Sequence, residues 1–283
     1  MIQFASKNIR FLNWVYEFPV LKYFFVVHID RLRAIDSEKI IENFFRFLYV
    51  TDGPSKQTKQ GRFATLNENA AKYLHDGEIK VHDVGVSNGI TSLELNQYLA
   101  KMGKNAKLTI SDKFSRFTVK KGRVTKVYDA DNNLMFGYIF GAVASKNMKT
   151  FFISKWLFSM LERFSDGKDI YTISLFHPMV MNAIEANELK EIEYDIFTSK
   201  NACEYDFVRC MNVLNLGYFG SEMNVVGLRN LVDSLKENGL LLVGRTSQNG
   251  EQNATFYRKE QDRLKVLEHI NAGTEIQHLA EII

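Results

Sequence analysis

The segment from Ile79 to Gly89 constrains this chain more than any other. A strand-like segment, Ile79 to Val84, leads through Asp83-Val84-Gly85-Val86-Ser87-Asn88-Gly89 directly into a helical pattern. Strand, glycine turn and helix start therefore meet within about ten residues. Glycines let the backbone turn sharply and approach a ligand, and the unpaired amides of a helix start favour anionic groups. After this turn, Leu95, Tyr98, Leu99 and Met102 fall on one helical face before a stop at Gly103. Lys107 to Ser111 reads as a second strand ending at Asp112, and Tyr205 to Cys210 as a buried one. Next comes a helix with Val225, Leu228, Leu231, Val232 and Leu235 inward, closed by Lys236 and Gly239, and then the strand Leu240 to Gly244. Alternation of this kind predicts an α/β protein built on a doubly wound, Rossmann-like sheet.

Two regions do not follow that alternation. Residues 1–76 read as an N-terminal helical region: an aromatic segment to Tyr16, a break at Phe18-Pro19, a run through Val27, and a helix opened by Asp36-Ser37. In that last helix Ile40, Ile41, Phe44, Phe45 and Leu48 recur at helical spacing, and Asp52-Gly53-Pro54 ends it. A further amphipathic stretch runs from Leu66 to Leu74. Within the sheet domain, 77–283, residues 114–170 read as an insertion. It comprises a β-hairpin or three-stranded meander from Phe117 to Phe140, turning near Gly122 and again at Asp129 to Asn133, then an apolar helix from Phe151 to Phe164. Pro178 to Leu189 resumes the normal helix. Near the end, Thr255 to Arg258 suggests a strand and Asp262 to Ile270 a helix.

Composition excludes several classes. With 36 basic and 33 acidic residues the net charge of +3 is no magnet for nucleic acid, and no nucleic-acid partner is expected. Cys203 and Cys210 cannot make a disulfide framework, and neither a CxxC pair nor an HExxH helix is present, so no metal is expected. The apolar run Leu12 to Ile29 is interrupted by Glu17, Pro19 and Lys22, short of the ~20 apolar residues of a membrane span. A soluble, cytoplasmic protein is the expectation.

The glycine turn admits three chemistries. A dinucleotide fingerprint, G-x-G-x-x-G, is not met by two glycines four apart. Gly85-Val86-Ser87-Asn88-Gly89 matches the G-x-S-x-G elbow of serine hydrolases literally, although in that fold several strands precede the elbow and here the upstream residues look helical. The third reading covers more of the chain. Apolar strand, Asp83, Gly85, Ser87 and Gly89 resemble motif I of class I S-adenosylmethionine-dependent methyltransferases. Downstream, Asp112 in Leu108-Thr109-Ile110-Ser111-Asp112 resembles the acid that takes the ribose hydroxyls, and Asp195 in Tyr194-Asp195-Ile196-Phe197 the acid near the adenine. Tyr205 to Leu214, with Asn212, resembles the fourth strand, and Leu235 to Gly244 the helix, turn and fifth strand. Locally this stretch is similar to chemotaxis receptor methyltransferases, but Met211-Asn212 stands in place of their arginine-asparagine pair, so a protein-glutamate substrate is not carried over.

The resemblance covers roughly residues 78–113 and 171–246. It implies S-adenosylmethionine as cofactor, with Asp83, Gly85, Ser87, Gly89, Asp112, Asp195 and Asn212 around it, and a methyl acceptor beyond the carboxyl ends of the strands. Asn212, Asn215 and Tyr218 line that edge, and none is assigned as a base. A small-molecule or hydrophobic acceptor is expected. The insertion leaves the sheet straight after Asp112, which suits a lid or acceptor wall. Its apolar helix must be covered, by the N-terminal helices, a homodimer partner, a hydrophobic substrate or, with Lys146, Lys149, Arg163 and Lys168 flanking it, a peripheral membrane contact. The other classes that stay open are a non-catalytic ligand- or partner-binding protein and a hydrolase using Ser87.

Overall fold

The computed structural model describes residues 3–47, 58–145, 152–199, 203–261 and 263–283. Leu48, Asp52-Gly53-Pro54, Lys146, Lys149, Phe151 and Asp262, used in the sequence reading, lie outside the described residues. Along the chain the first elements are β1 (Phe4–Ser6), α1 (Ile9–Val15), β2 (Phe25–Val27), α2 (Glu38–Phe47), α3 (Ala64–Tyr73), β3 (Glu78–Val84), α4 (Ile90–Lys101) and β4 (Asn105–Asp112). There follow β5 (Arg116–Lys121), β6 (Thr125–Tyr128), β7 (Leu134–Ile139), β8 (Ala142–Ser145), α5 (Phe152–Arg163), β9 (Asp169–Ser174) and α6 (Pro178–Glu185). The last are β10 (Leu189–Glu193), β11 (Tyr205–Met211), α7 (Ser221–Ser234), β12 (Leu235–Thr246), β13 (Gln252–Glu260), β14 (Arg263–Ile270) and α8 (Gln277–Ala280).

These elements divide into two compact units, each with its own sheet: residues 1–59 with 114–182, and residues 60–113 with 183–283. The second unit carries the order β10-β4-β3-β11-β12-β13-β14. Its first five strands are parallel and the last two antiparallel. Numbered within this sheet the parallel part runs 3-2-1-4-5, the Rossmann-like arrangement, with its switch point between β3 and β11. Helices cover both faces, as the alternation of β11 shows. Val208 and Cys210 pack with Leu228, Leu231 and Val232 of α7, whereas Arg209 reaches Asn67 of α3 and the Thr91 carbonyl of α4. The strands are apolar because both faces are buried.

Residues 1–59 and 114–182 form the sheet β2-β1-β8-β7-β6-β5-β9, antiparallel except for the β1–β2 pair. The meander expected over Phe117 to Phe140 is present as β5, β6 and β7, lengthened by β8 and flanked by β9. On one face Phe117, Val119, Val127, Phe136 and Tyr138 pack with Leu12 and Val15 of α1 and with Ile40, Ile41, Phe44 and Phe45 of α2. The other face packs Val124, Ile139 and Ala144 against Phe158 and Leu161 of α5. A Cβ on Gly137 would lie 2.6 Å from Leu161 Cδ2 and 2.3 Å from the Thr125 carbonyl oxygen, so the bare backbone lets α5 sit down on the sheet.

Four expectations change here. The N-terminal residues are not a separate helical region: Phe4–Ser6 and Phe25–Val27 are strands that share a sheet with the supposed insertion. The apolar α5 is covered by that sheet face rather than by the N-terminal helices, leaving Ile153 and Trp156 exposed. The helix expected over Asp262 to Ile270 is an edge strand paired with β13, because Val266, Leu267 and Ile270 suit helical spacing while Leu264, Val266 and Ile270 suit a strand's, and the ladder to residues 254–260 decides the conformation. Met102, expected on the inner face of its helix, is exposed just past the end of α4.

His82 of β3 is fully buried on the α7 face, its Nε2 2.8 Å from Ser111 Oγ and its ring against Tyr205 and Tyr194. Burial lowers its pKa to about 4, with the nearby Asp83 charge opposing that shift. The unfolded chain, with a histidine near 6.5, therefore takes up a proton before the folded one does. The stability contributed by the neutral ring is complete above pH 6.5 and is lost as pH falls toward 4, on the order of 3 kcal/mol. Denaturant unfolding at pH 7.5, 6, 5 and 4 should show His82→Gln losing less stability on acidification than the parent chain. Parallel losses would contradict a neutral buried His82.

Candidate functional site

At the carboxyl ends of β3 and β4 the backbone wraps into the glycine turn. The Gly85 and Val86 N–H groups both donate to the Ser111 carbonyl, at 2.8 and 3.1 Å, and the Ser87 N–H donates to Asp112 Oδ2 at 2.8 Å. Gly85, Ser87 and Gly89 all take positive φ, +72°, +61° and +78°. Gly89 is the N-cap of α4, where the Ile90 N–H is met by Asn88 Oδ1 at 3.1 Å. Gly85 is required for a second reason, since Val213 Cγ2 lies 2.2 Å from where its Cβ would stand. The bareness of this glycine thus serves the packing of the loop after β11.

Asp83, buried at 4% exposure, takes donors on both oxygens. Arg209 Nε donates to Oδ1 at 2.9 Å, while Arg209 Nη2 and Ser92 Oγ both donate to Oδ2, the latter at 2.6 Å. The remaining guanidinium contacts are Asn67 Oδ1 at 2.8 Å and the Thr91 carbonyl at 3.0 Å. Phe63 lies beside the same group, 5.4 Å from ring centroid to Cζ. A charge at 1% exposure is stable only when paired and hydrogen-bonded in this way. Asp83 is accordingly the buried partner of Arg209 and Ser92, both of its oxygens engaged inside the unit. Arg209 was not among the residues expected at the site. Its signal was an arginine in the middle of the apolar run Tyr205 to Cys210, a position that demands a buried acid.

Asp112 and Asp195 are brought together on the other side of the turn. The ladder pairs Asp112 with Glu193, so Asp195 follows two residues beyond that pair. Asp195 Oδ1 accepts from the Phe197 N–H at 3.0 Å, and Oδ2 pairs with Lys113 Nζ at 2.9 Å. Asn212 stands on the opposite flank, past the end of β11, with φ +61°. Its Oδ1 accepts from the Thr246 N–H at 2.7 Å and its own N–H donates to the Gly244 carbonyl, which clamps the ends of β11 and β12. Asn215 is buried and forms a local turn, its Oδ1 accepting from the Tyr218 N–H, whereas the Tyr218 ring is 58% exposed. The arrangement sets two part-exposed carboxylates and a lysine beside the glycine turn, at the carboxyl ends of the strands where open α/β sheets bind ligands. Among the described residues no group of three or more His, Cys, Asp or Glu is placed to hold a metal, and no helix is long and apolar enough to cross a membrane.

The G-x-S-x-G match does not extend to a hydrolase architecture. The turn follows β3, the first strand of its sheet in chain order, whereas a nucleophile elbow follows several. His82, five residues upstream of Ser87, is engaged with Ser111 within the sheet.

Comparison with known proteins matches no family model and no curated protein. Among solved structures the chain is similar to the S-adenosylmethionine-dependent methyltransferase SibL in its apo form, at 15% identity and TM-score 0.37 over 78% of this chain and 44% of that one. It is similar to a putative S-adenosyl-L-methionine-dependent methyltransferase from Methanococcus maripaludis, at 13% identity and TM-score 0.34 over 66% of this chain and 58% of that one. A third is phosphoethanolamine N-methyltransferase 1 of Haemonchus contortus, in complex with phosphoethanolamine and S-adenosylhomocysteine, at 11% identity and TM-score 0.34 over 68% of this chain and 27% of that one. The chain thus spans less than two thirds of each.

The pairing of Asp83 with Arg209 yields a direct test. Arg209→Met leaves a buried carboxylate uncompensated and should cost about 3–5 kcal/mol in urea unfolding. Adding Asp83→Asn should restore a large part of that loss. A double variant as unstable as the sum of the two single ones would show that the groups act independently.

Proposed function

We propose that the unit formed by residues 60–113 and 183–283 binds S-adenosylmethionine and that the protein is a methyltransferase acting on a small-molecule or hydrophobic acceptor. The observation that carries this reading is Asp112 at the end of the second parallel strand, its Oδ2 anchored by the Ser87 N–H of the glycine turn at the sheet's switch point. A carboxylate so placed accepts paired hydroxyls of a ribose, and Asp195, held by Lys113, supplies a second acceptor for an exocyclic amine. The nucleoside half of the cofactor thus fits the residues present. Its amino-acid half does not find a carboxylate in Asp83, which is taken up by Arg209 and Ser92. The cofactor, when bound, supplies a methyl carbon on a sulfonium. The task of the chain is then to hold the acceptor in line with that carbon, a contribution worth roughly 7–11 kcal/mol in well-oriented systems.

The engagement of Asp83 also favours a second reading, a nucleoside-binding protein of the same fold without turnover. Calorimetric titration with S-adenosylmethionine and S-adenosylhomocysteine tests the first step. Binding that Asp112→Asn weakens about tenfold or more is expected, because the asparagine keeps an acceptor for the Ser87 N–H but loses the charge. Absence of binding by either ligand would overturn the proposal. Transfer of labelled methyl to a small-molecule extract would then distinguish the enzyme from the non-catalytic binder.

A further inference from the structure

Residues 1–59 and 114–182 contain a cavity of about 440 Å3 whose lining includes Lys22, Lys39, Glu42, Arg46, Lys59 and the ring of Tyr23. That volume lies within the roughly 300–1,000 Å3 of small-molecule sites. Positions 39, 42 and 46 are spaced by three and four residues on α2 and so share one face of the helix. Lys22 and Tyr23 come from the turn before β2, and Lys59 from the segment before α3. Four cations from three parts of the chain thus line one cavity, with a single carboxylate among them.

Elsewhere in the same unit the fold neutralises its lysines in groups. Asp30 gathers Lys7 and Lys121, and Asp166 gathers Lys120 and Lys126. Around the cavity the pattern is different. Among the described residues, none of Lys22, Lys39, Arg46 and Lys59 forms an ion pair, with Glu42 or with any other acid. Like charges gathered about a concave surface repel, and a multiply charged anion relieves that repulsion while gaining charge-assisted hydrogen bonds. A described lining of four cations and one carboxylate matches a phosphate dianion better than a monocarboxylate, and the guanidinium fork suits its oxygens. The Tyr23 ring, 38% exposed and 5.3 Å from Lys22 Nζ, offers a flat face beside the cations for an organic substituent.

We infer that this cavity is a binding site for a phosphate-bearing organic ligand, held by Lys22, Lys39, Arg46 and Lys59. It belongs to the other unit from the proposed cofactor site and stands or falls separately. The probe is inorganic pyrophosphate, titrated calorimetrically into the full chain at 0.15 M salt. Saturable binding is expected, weakened about tenfold by Lys39→Gln and again by Arg46→Gln. Both residues are exposed on α2, so circular dichroism should report an unchanged fold. The pair Lys101→Gln with Lys190→Gln, two exposed lysines of the other unit, should leave binding intact. No binding of pyrophosphate, or equal weakening by the control pair, would overturn the inference. Sedimentation with phosphatidylcholine vesicles containing phosphatidic acid distinguishes the sources. Vesicle binding lost in the same Lys39 and Arg46 variants identifies a lipid phosphate, whereas pyrophosphate binding without vesicle binding identifies a soluble phosphate ester.

Discussion

The ion pair between Asp83 and Arg209 organises the unit that carries the glycine turn. It joins two neighbouring parallel strands, and through Asn67, Thr91 and Ser92 it reaches both helices on that face. An apolar pair of similar volume would give a comparable core, since buried ion pairs are weak sources of stability. What the pair adds is direction. Five donor and acceptor contacts require α3, α4, β3 and β11 to meet in one register. The turn that follows β3 inherits that register, and with it the placement of the Ser87 amide on Asp112.

A second constraint acts at the same strand ends. Gly85 is bare beneath Val213, Asn212 locks the end of β11 to Thr246, and Asn215 folds the next residues back on themselves. Both asparagines nearest the switch point are therefore occupied in fixing loops. In the proposed reading, ligand recognition falls to Asp112, Asp195 and Lys113, on the β4 and β10 side, a lopsided arrangement better furnished for a sugar and a base than for a charged amino-acid tail.

The parallel sheet was legible in the sequence because its strands are short apolar runs closed by Gly, Asp or Asn, with helical spacing between them. Leu95, Leu99, Leu228, Leu231 and Val232 are buried where periodicity puts them. The first sheet was less legible. Phe25-Val26-Val27 is three residues inside a continuous aromatic run, too short for any period to show, and its strand character comes from pairing with Phe4 to Ser6. Arg263 to Ile270 failed for the opposite reason, offering two plausible periods. At the candidate site the residue types and their order were readable, but which carboxylate was engaged was not. The deciding partner, Arg209, lies 126 residues from Asp83 and becomes its neighbour only through the β3–β11 ladder.

The pairing of β1 with β8 carries a consequence for how the molecule is made. Phe4 meets Ala142, and β9 closes the far edge of the same sheet only at residues 169–174. During synthesis β1 and β2, rich in phenylalanine, emerge long before β8. The whole of α3 to β4 is translated in the interval. Those strands in turn wait for β11 before Asp83 finds its counter-charge. Each sheet is completed by residues on the far side of the other's chain segment, so neither can finish folding vectorially from the N-terminus. Such discontinuous chains expose unpaired strand edges and apolar surface while they wait, and exposure of that kind favours association between chains.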